Sequence, residues 1–332
     1  MKIVTPSVEI MRTGLESEMI LPEQFIEKVG RTCYKSEDKI TNDSAAKFVS
    51  NLIKRGHEAM IEHWNLIFKT NEKSYKEILS DWLMLQQNLD ILLEEPLRPY
   101  LRFTYCQLDP DKSRYVISGN MRAWRDFARA CVEGTGRIPA YMHGIIRCYP
   151  LFFPEYQDYV PAIIVNDILI PVSVFELTEA ERQVHQTVTM KFTCDRGVSH
   201  EMVRHRVASF AQESTRYCNY GNAKFGSEIT VIRPSWCPTG SALYDAWHDG
   251  CLSAEGSYFM LLAEDATPQE ARSLLDTSTK TEIVVTMNLN DWEHFFHLRC
   301  DPAAHPDMQE VAIMARDLLE EELTVKPCLS EE

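Results

Sequence analysis

The polar stretch 195–217 holds the residues best placed to do chemistry. Its centre is Arg204-His205-Arg206, and Gln212, Ser214 and Arg216 follow. Three consecutive side chains on a helix fan over roughly 200°, so they do not all grip one small ligand from a helix body. At a helix end they can serve two ligands, or two parts of one large ligand. Gln212, Ser214 and Arg216 share parity, so an extended chain points all three the same way. One face then offers an amide, a hydroxyl and a guanidinium. That set suits a nucleotide, with the amide on a base edge and the other two on sugar or phosphate. Composition alone favours a plainer arrangement, a solvated basic helix end followed by a polar edge strand. Ser214 reads as a hydrogen-bonding group, because no His-plus-acid pattern that would activate a nucleophile is visible.

Other polar residues are ambiguous singly. His57-Glu58 precedes Glu62-His63, but the spacing is not the His-Glu-x-x-His of a zinc site, and no metal site is expected. His57 also reads as a cap on a helix C-terminus. His294 and His297 stand at i, i+3, a spacing more often found on a helix surface than in a ligand pair. The ten cysteines include no Cys-x-x-Cys and read as reduced core thiols. There is no Gly-x-Gly-x-x-Gly, so a dinucleotide would be held in some other way than in a Rossmann fold.

Spacing changes this balance. Arg204-His205-Arg206, seven residues, then Ser214 resembles the signature of the flavin-dependent thymidylate synthases, with Asp195-Arg196-Gly197 and His200-Glu201 before it and Arg216-Tyr217 after it. Three further segments resemble that family in the same order. They are 56–63, the stretch Pro268–Leu275 around Arg272, and 286–305 with Asn288, Trp292, His294, Phe295, Leu298 and Arg299. The resemblance covers about 55–70 and 184–310, and Asn120–Trp124 is similar to a stretch of the larger members. It departs at Gln212, where others carry Glu, and at Leu275-Asp276, where the family usually has Leu-Pro.

The resemblance implies an FAD enzyme that methylates dUMP to dTMP, with 5,10-methylenetetrahydrofolate as carbon donor and NADPH as reductant. It assigns dUMP to Glu201, Arg204, Gln212, Ser214, Arg216, Arg272 and Arg299. It assigns FAD to His57, Glu62, Arg204, His205, Arg206, Gln212, Asn288 and His294. Arg299 is the catalytic candidate, since a guanidinium at the pyrimidine edge would stabilise negative charge building on the ring. The Pro-Cys-His arrangement of the thiol-dependent thymidylate synthases is missing, although Cys218 lies near the signature. The resemblance also implies a homotetramer with sites built from several subunits. Rival readings are a catalytically inactive flavin- or nucleotide-binding relative, a nucleic-acid-binding module using Phe210, Tyr217 and Tyr220, and a metal-dependent hydrolase.

Positioning these residues is the task of a 332-residue chain that is 45% apolar, ample for a sizeable core. Its 34 Lys plus Arg against 49 Asp plus Glu give a net charge of −15. That balance argues against nucleic-acid and anionic-membrane partners, and it requires any anionic ligand to be met by a local basic cluster. With no apolar run of ~20 residues and no signal-peptide pattern at the start, a cytoplasmic location is expected.

The expected fold class is α+β (mixed α/β), one elaborated domain over 1–332 with a central, mainly antiparallel sheet flanked by helices and an insertion at about 85–180. Strands are expected at 2–10, 59–69, 100–107, 115–118, 184–192, 228–233 and 281–289. Helices are expected from Asn42 or Asp43 to Gly56, over 74–95, 121–132, 198–206, 241–263 and 291–298, and from Pro306 onward with Val311, Met314, Ala315 and Leu318 inward. No periodicity is read in 151–176.

Overall fold

The computed structural model describes residues 1–15, 20–92, 102–109, 112–161 and 169–325. The chain opens with β1 (Lys2–Val4), β2 (Ser7–Arg12), α1 (Pro22–Tyr34) and α2 (Ser44–Lys54). A 3-10 segment, Glu58–His63, leads into β3 (Asn65–Thr70) and α3 (Glu72–Leu92). Next come β4 (Arg102–Asp109), β5 (Lys112–Asn120), α4 (Met121–Thr135), α5 (Ala140–Cys148), β6 (Ile170–Pro171) and α6 (Glu179–His185). The last third carries β7 (Thr187–Asp195), α7 (Arg196–Met202), β8 (Ser209–Gln212), β9 (Thr230–Ile232), α8 (Ala242–Ala263), α9 (Pro268–Ala271), β10 (Lys280–Asn288), α10 (Leu289–Arg299) and α11 (Pro306–Val325).

The mixed class is as expected, but the strands form two four-stranded antiparallel sheets rather than one central sheet. One has the order β2-β7-β10-β8, the other β4-β5-β3-β6, and β1 and β9 make a separate parallel pair. The expected strand 59–69 is half right. Its first part coils into the 3-10 turn, and pairing starts only at Asn65. The helix α1 is absent from the sequence expectations, although Pro22 at its first turn is a start signal.

The first sheet is buried on both faces. Val188, Met190, Phe192, Ile283, Val285 and Met287 alternate onto one face against Trp292, Phe295, Met308, Val311 and Ala315 of α10 and α11. In α11 the inward side chains are Met308, Val311, Ala312, Ala315 and Leu319, whereas Met314 is 37% exposed. The stripe therefore follows the i, i+4 spacing that the helix period favours. On the opposite face Val284 and Ala211 join α1, α2 and α4 in a second core. The segment expected as an insertion is thus part of that core: Trp124, Phe127 and Met142 are completely buried in it. Arg125 ties α4 down with ion pairs to Glu58 (3.1 Å) and Glu155 (2.6 Å).

The register of β10 sets the site. Its first residue, Lys280, pairs with Asp195 at the end of β7, where α7 begins, and Ile283 faces Gln212 at the end of β8. Its last residue, Asn288, starts α10 at the other end of the sheet. Eleven residues at 1.5 Å each return the chain about 16 Å, and this brings Arg299 back to the end of α7.

Candidate functional site

The short helix α7 is the hub. Asp195 caps it, its Oδ1 accepting from Val198 N at 2.7 Å. The helix stops at Met202, so Arg204, His205 and Arg206 lie in the turn beyond it and not on its body. They diverge there: His205 is buried, while Arg204 and Arg206 are exposed.

His205 and Arg299 form one unit. Arg299 Nε donates to His205 Nε2 at 2.7 Å, and Nη1 donates to Glu201 Oε2 at 2.6 Å. Accepting at Nε2 fixes His205 as the neutral Nδ1–H tautomer. Burial, with Arg299 and His294 close by, pushes its imidazole down to about 4. His294 is exposed on α10, its ring 6.5 Å from that of His205. The structure therefore brings Glu201, His205, His294 and Arg299 together.

Gln212 ends β8. Its amide nitrogen donates to Ser199 Oγ (2.8 Å) and Thr281 Oγ1 (3.2 Å), so both amide hydrogens are engaged. The shared parity of Gln212, Ser214 and Arg216 does not survive. The strand stops at Gln212, and a turn follows in which Tyr217 N and Cys218 N both donate to Ser214 O. Ser214 Oγ accepts from Arg216 N at 3.3 Å. Cys218 is buried, and burial together with Glu213 pushes its thiol up to about 12, which removes it as a thiolate nucleophile.

Arg272 lies in an open groove of about 510 Å³ lined with Arg196, His200, Thr215 and Asp276. Arg299 is not among the lining residues of that groove. His57 reaches the signature through Tyr34. The Tyr34 hydroxyl is 3.3 Å from His57 Nδ1, and the Tyr34 ring lies 5.5 Å from that of Tyr217. Gly56, at φ +69, closes α2 and turns the chain to set His57 there. Glu62 and Asn288 line another, small cavity with Ala208 and Ser209. Glu62 is held by Arg122 Nη1 at 2.7 Å. Asn288 caps α10 through Asp291 N (2.8 Å) and donates to Val184 O (3.0 Å).

Arg204, Arg206, Arg216 and Arg272 form no ion pair with any described residue, in a chain of net charge −15. All four side chains are exposed, which leaves their charge available to an anionic ligand. Among the described residues no group of three or more His, Cys, Asp or Glu could hold a metal ion. No helix among them is long and apolar enough to cross a membrane. Sequence reasoning missed Arg196 and His200. Their i, i+4 spacing behind a capping Asp195 is the signal that both face one way. It also missed the buried chain from His63 Nδ1 to Thr286 Oγ1 (2.7 Å) to Thr189 Oγ1 (2.8 Å).

Comparison with known proteins points the same way. Residues 179–323, a little under half of the chain, match the family described as thymidylate synthase complementing protein. The flavin-dependent thymidylate synthase of Pyrococcus furiosus is 33% identical over 129 residues, 39% of this chain and 52% of that one. That of Pyrococcus horikoshii is 32% identical over 146 residues, 44% and 59%. That of Geobacter sulfurreducens is 32% identical over 119 residues, 36% and 49%. The chain thus spans about half the length of the curated relatives it matches. Through residues 179–323 the chain is thus similar to the flavin-dependent thymidylate synthases, and α7, Arg204, Arg206, Arg216, Arg272 and the Arg299 nest all lie inside that stretch.

Proposed function

We propose that this protein is an FAD-dependent thymidylate synthase that converts dUMP to dTMP, taking carbon from 5,10-methylenetetrahydrofolate and hydride from NADPH. The observation that carries the reading is Arg299, held in place by His205 and Glu201, in a stretch that also carries the exposed, unpaired Arg204, Arg206, Arg216 and Arg272. The donor set fits FAD: Arg204 and Arg206 offer free guanidinium charge to a diphosphate, while Glu62 and Asn288 share a polar cavity. When bound, FAD supplies redox chemistry, passing hydride from NADPH toward the one-carbon unit.

The chain's own residues do the rest. Arg216 and Arg272 clamp the dUMP phosphate with charge-assisted hydrogen bonds. Arg204, Gln212 through its carbonyl, Ser214 and Glu201 orient sugar and base. Arg299, with Nε, one Nη1 and one Nη2 hydrogen engaged, keeps two of its five donors for the uracil edge, where they stabilise charge building on the ring. His57, His205 and His294 complete the flavin side. Arg299 does not line the Arg272 groove, and in the homotetramer that this reading includes neighbouring subunits complete each site. Light scattering should then give four times the 38.3 kDa chain mass, and a stable monomer with full activity would refute the shared site. A cytoplasmic location goes with this reading.

Colour is the first test. The purified protein should absorb as an oxidised flavoprotein and bleach with NADPH in the presence of dUMP. A colourless protein that stays apo after incubation with FAD would overturn the proposal.

A further inference from the structure

The Arg272 groove contains two cationic or donor side chains that the substrate assignment leaves unused, Arg196 and His200. They stand one turn apart on α7 and so share a face. Their position against Arg272 is set by backbone: Arg196 N and Gly197 N both donate to Thr277 O, at 2.9 and 3.3 Å, which stitches the start of α7 to the loop that follows Arg272. Among the described residues the Arg196 guanidinium makes only long contacts to neutral acceptors, Thr281 Oγ1 at 3.5 Å and Glu213 O at 3.4 Å, and forms no ion pair. A guanidinium has five N–H donors, so most of those of Arg196 remain available. The Thr215 and Ser273 hydroxyls line the same groove. Its carboxylate, Asp276, accepts from Thr279 Oγ1 at 3.3 Å.

We propose that Arg196, with His200 beside it, is a further anchor for the phosphate of the nucleotide substrate, sharing that dianion with Arg272; this rests on the reading of dUMP as substrate. A phosphomonoester presents three acceptor oxygens, more than one guanidinium satisfies. Arg272 reaches them from the loop wall and Arg196 from the helix wall. His200 adds an N–H that is a donor even in the neutral imidazole.

The test uses the full-length, FAD-loaded protein and measures binding of dUMP, deoxyuridine and inorganic phosphate to wild type, Arg196→Gln and Arg196→Lys. Arg196→Gln should weaken dUMP and inorganic phosphate about tenfold or more and leave deoxyuridine binding unchanged. Arg196→Lys should recover part of the loss. Unchanged dUMP and phosphate affinity in Arg196→Gln would overturn the anchor. An equal loss of dUMP and deoxyuridine would also overturn it, by showing a structural role. Failure of the wild-type protein to bind dUMP would sink the substrate reading instead. In that case the phosphate comparison still decides whether Arg196 holds an anion.

Discussion

Arg299 is shared between two partners of different character. Glu201 partly neutralises it, while the neutral His205 aims it without cancelling its charge. A guanidinium positioned in advance suits a group that must stabilise charge developing during reaction. Arg299→Ala should therefore lower turnover about 100-fold or more and weaken dUMP binding far less; near wild-type turnover at saturating dUMP would refute the assignment. The phosphate anchors should behave oppositely. Arg216→Ala and Arg272→Ala should each raise the dUMP requirement about tenfold or more, and unchanged dUMP affinity in both would reject the clamp. The sequence supplies candidates of this kind through the spacing of its signature. Their orientation was not legible there: the amide of Gln212 turns inward to Ser199 and Thr281, which only the register of β8 on β10 reveals.

At the scale of elements, α7 carries or adjoins most of the site: Arg196 and His200 on its groove face, Ser199 under Gln212, Glu201 on Arg299. With seven residues it is too short to be stable alone. Its cap is accordingly important. Asp195→Ala should cost about 1 kcal/mol of stability and also reduce dUMP affinity, as measured by thermal melting and by titration. Loss of stability with dUMP binding fully retained would show that α7 does not position the site. Long periodic elements such as β10, α8 and α4 were readable from pattern. The ends of α7 and β8 were not, because backbone partners decide them: Thr277 O pins the start of one, and Ser214 N leaves the ladder to donate to Cys33 O just past the end of the other. The second sheet was hidden because its pairing joins β3 to β5 and β6 across long stretches of chain.

The whole molecule buries titratable groups that make it acid-sensitive. Burial pushes His63 down to about 3 and His205 down to about 4. Burial also opposes the charge of Glu282, but Lys280 (2.6 Å) and Lys35 (2.5 Å) overcome it and hold the carboxyl at about 2. In the unfolded chain histidine takes up a proton below about 6.5, while the native imidazoles stay neutral. Stability is thus lost as pH falls from about 6.5 toward 4. Below about 4.5 the unfolded chain protonates Glu282 first, and a further loss follows with the same sign. The unfolding free energy from urea titrations should fall steadily from pH 7 to pH 4.5, by on the order of a few kcal/mol in total; a flat profile over that range would contradict the buried neutral histidines.

The core around α4 and β5 welds the middle of the chain to the sheet that carries the site, so the protein should be assayed at full length. The most direct measurement is a single turnover without oxygen. Protein whose flavin has been reduced by NADPH is mixed with dUMP and 5,10-methylenetetrahydrofolate, and dTMP is counted against flavin reoxidised. Equal amounts of dTMP and reoxidised flavin are predicted. Reduced flavin that persists with both substrates bound, and no dTMP, would contradict a thymidylate synthase built on the arginines around α7.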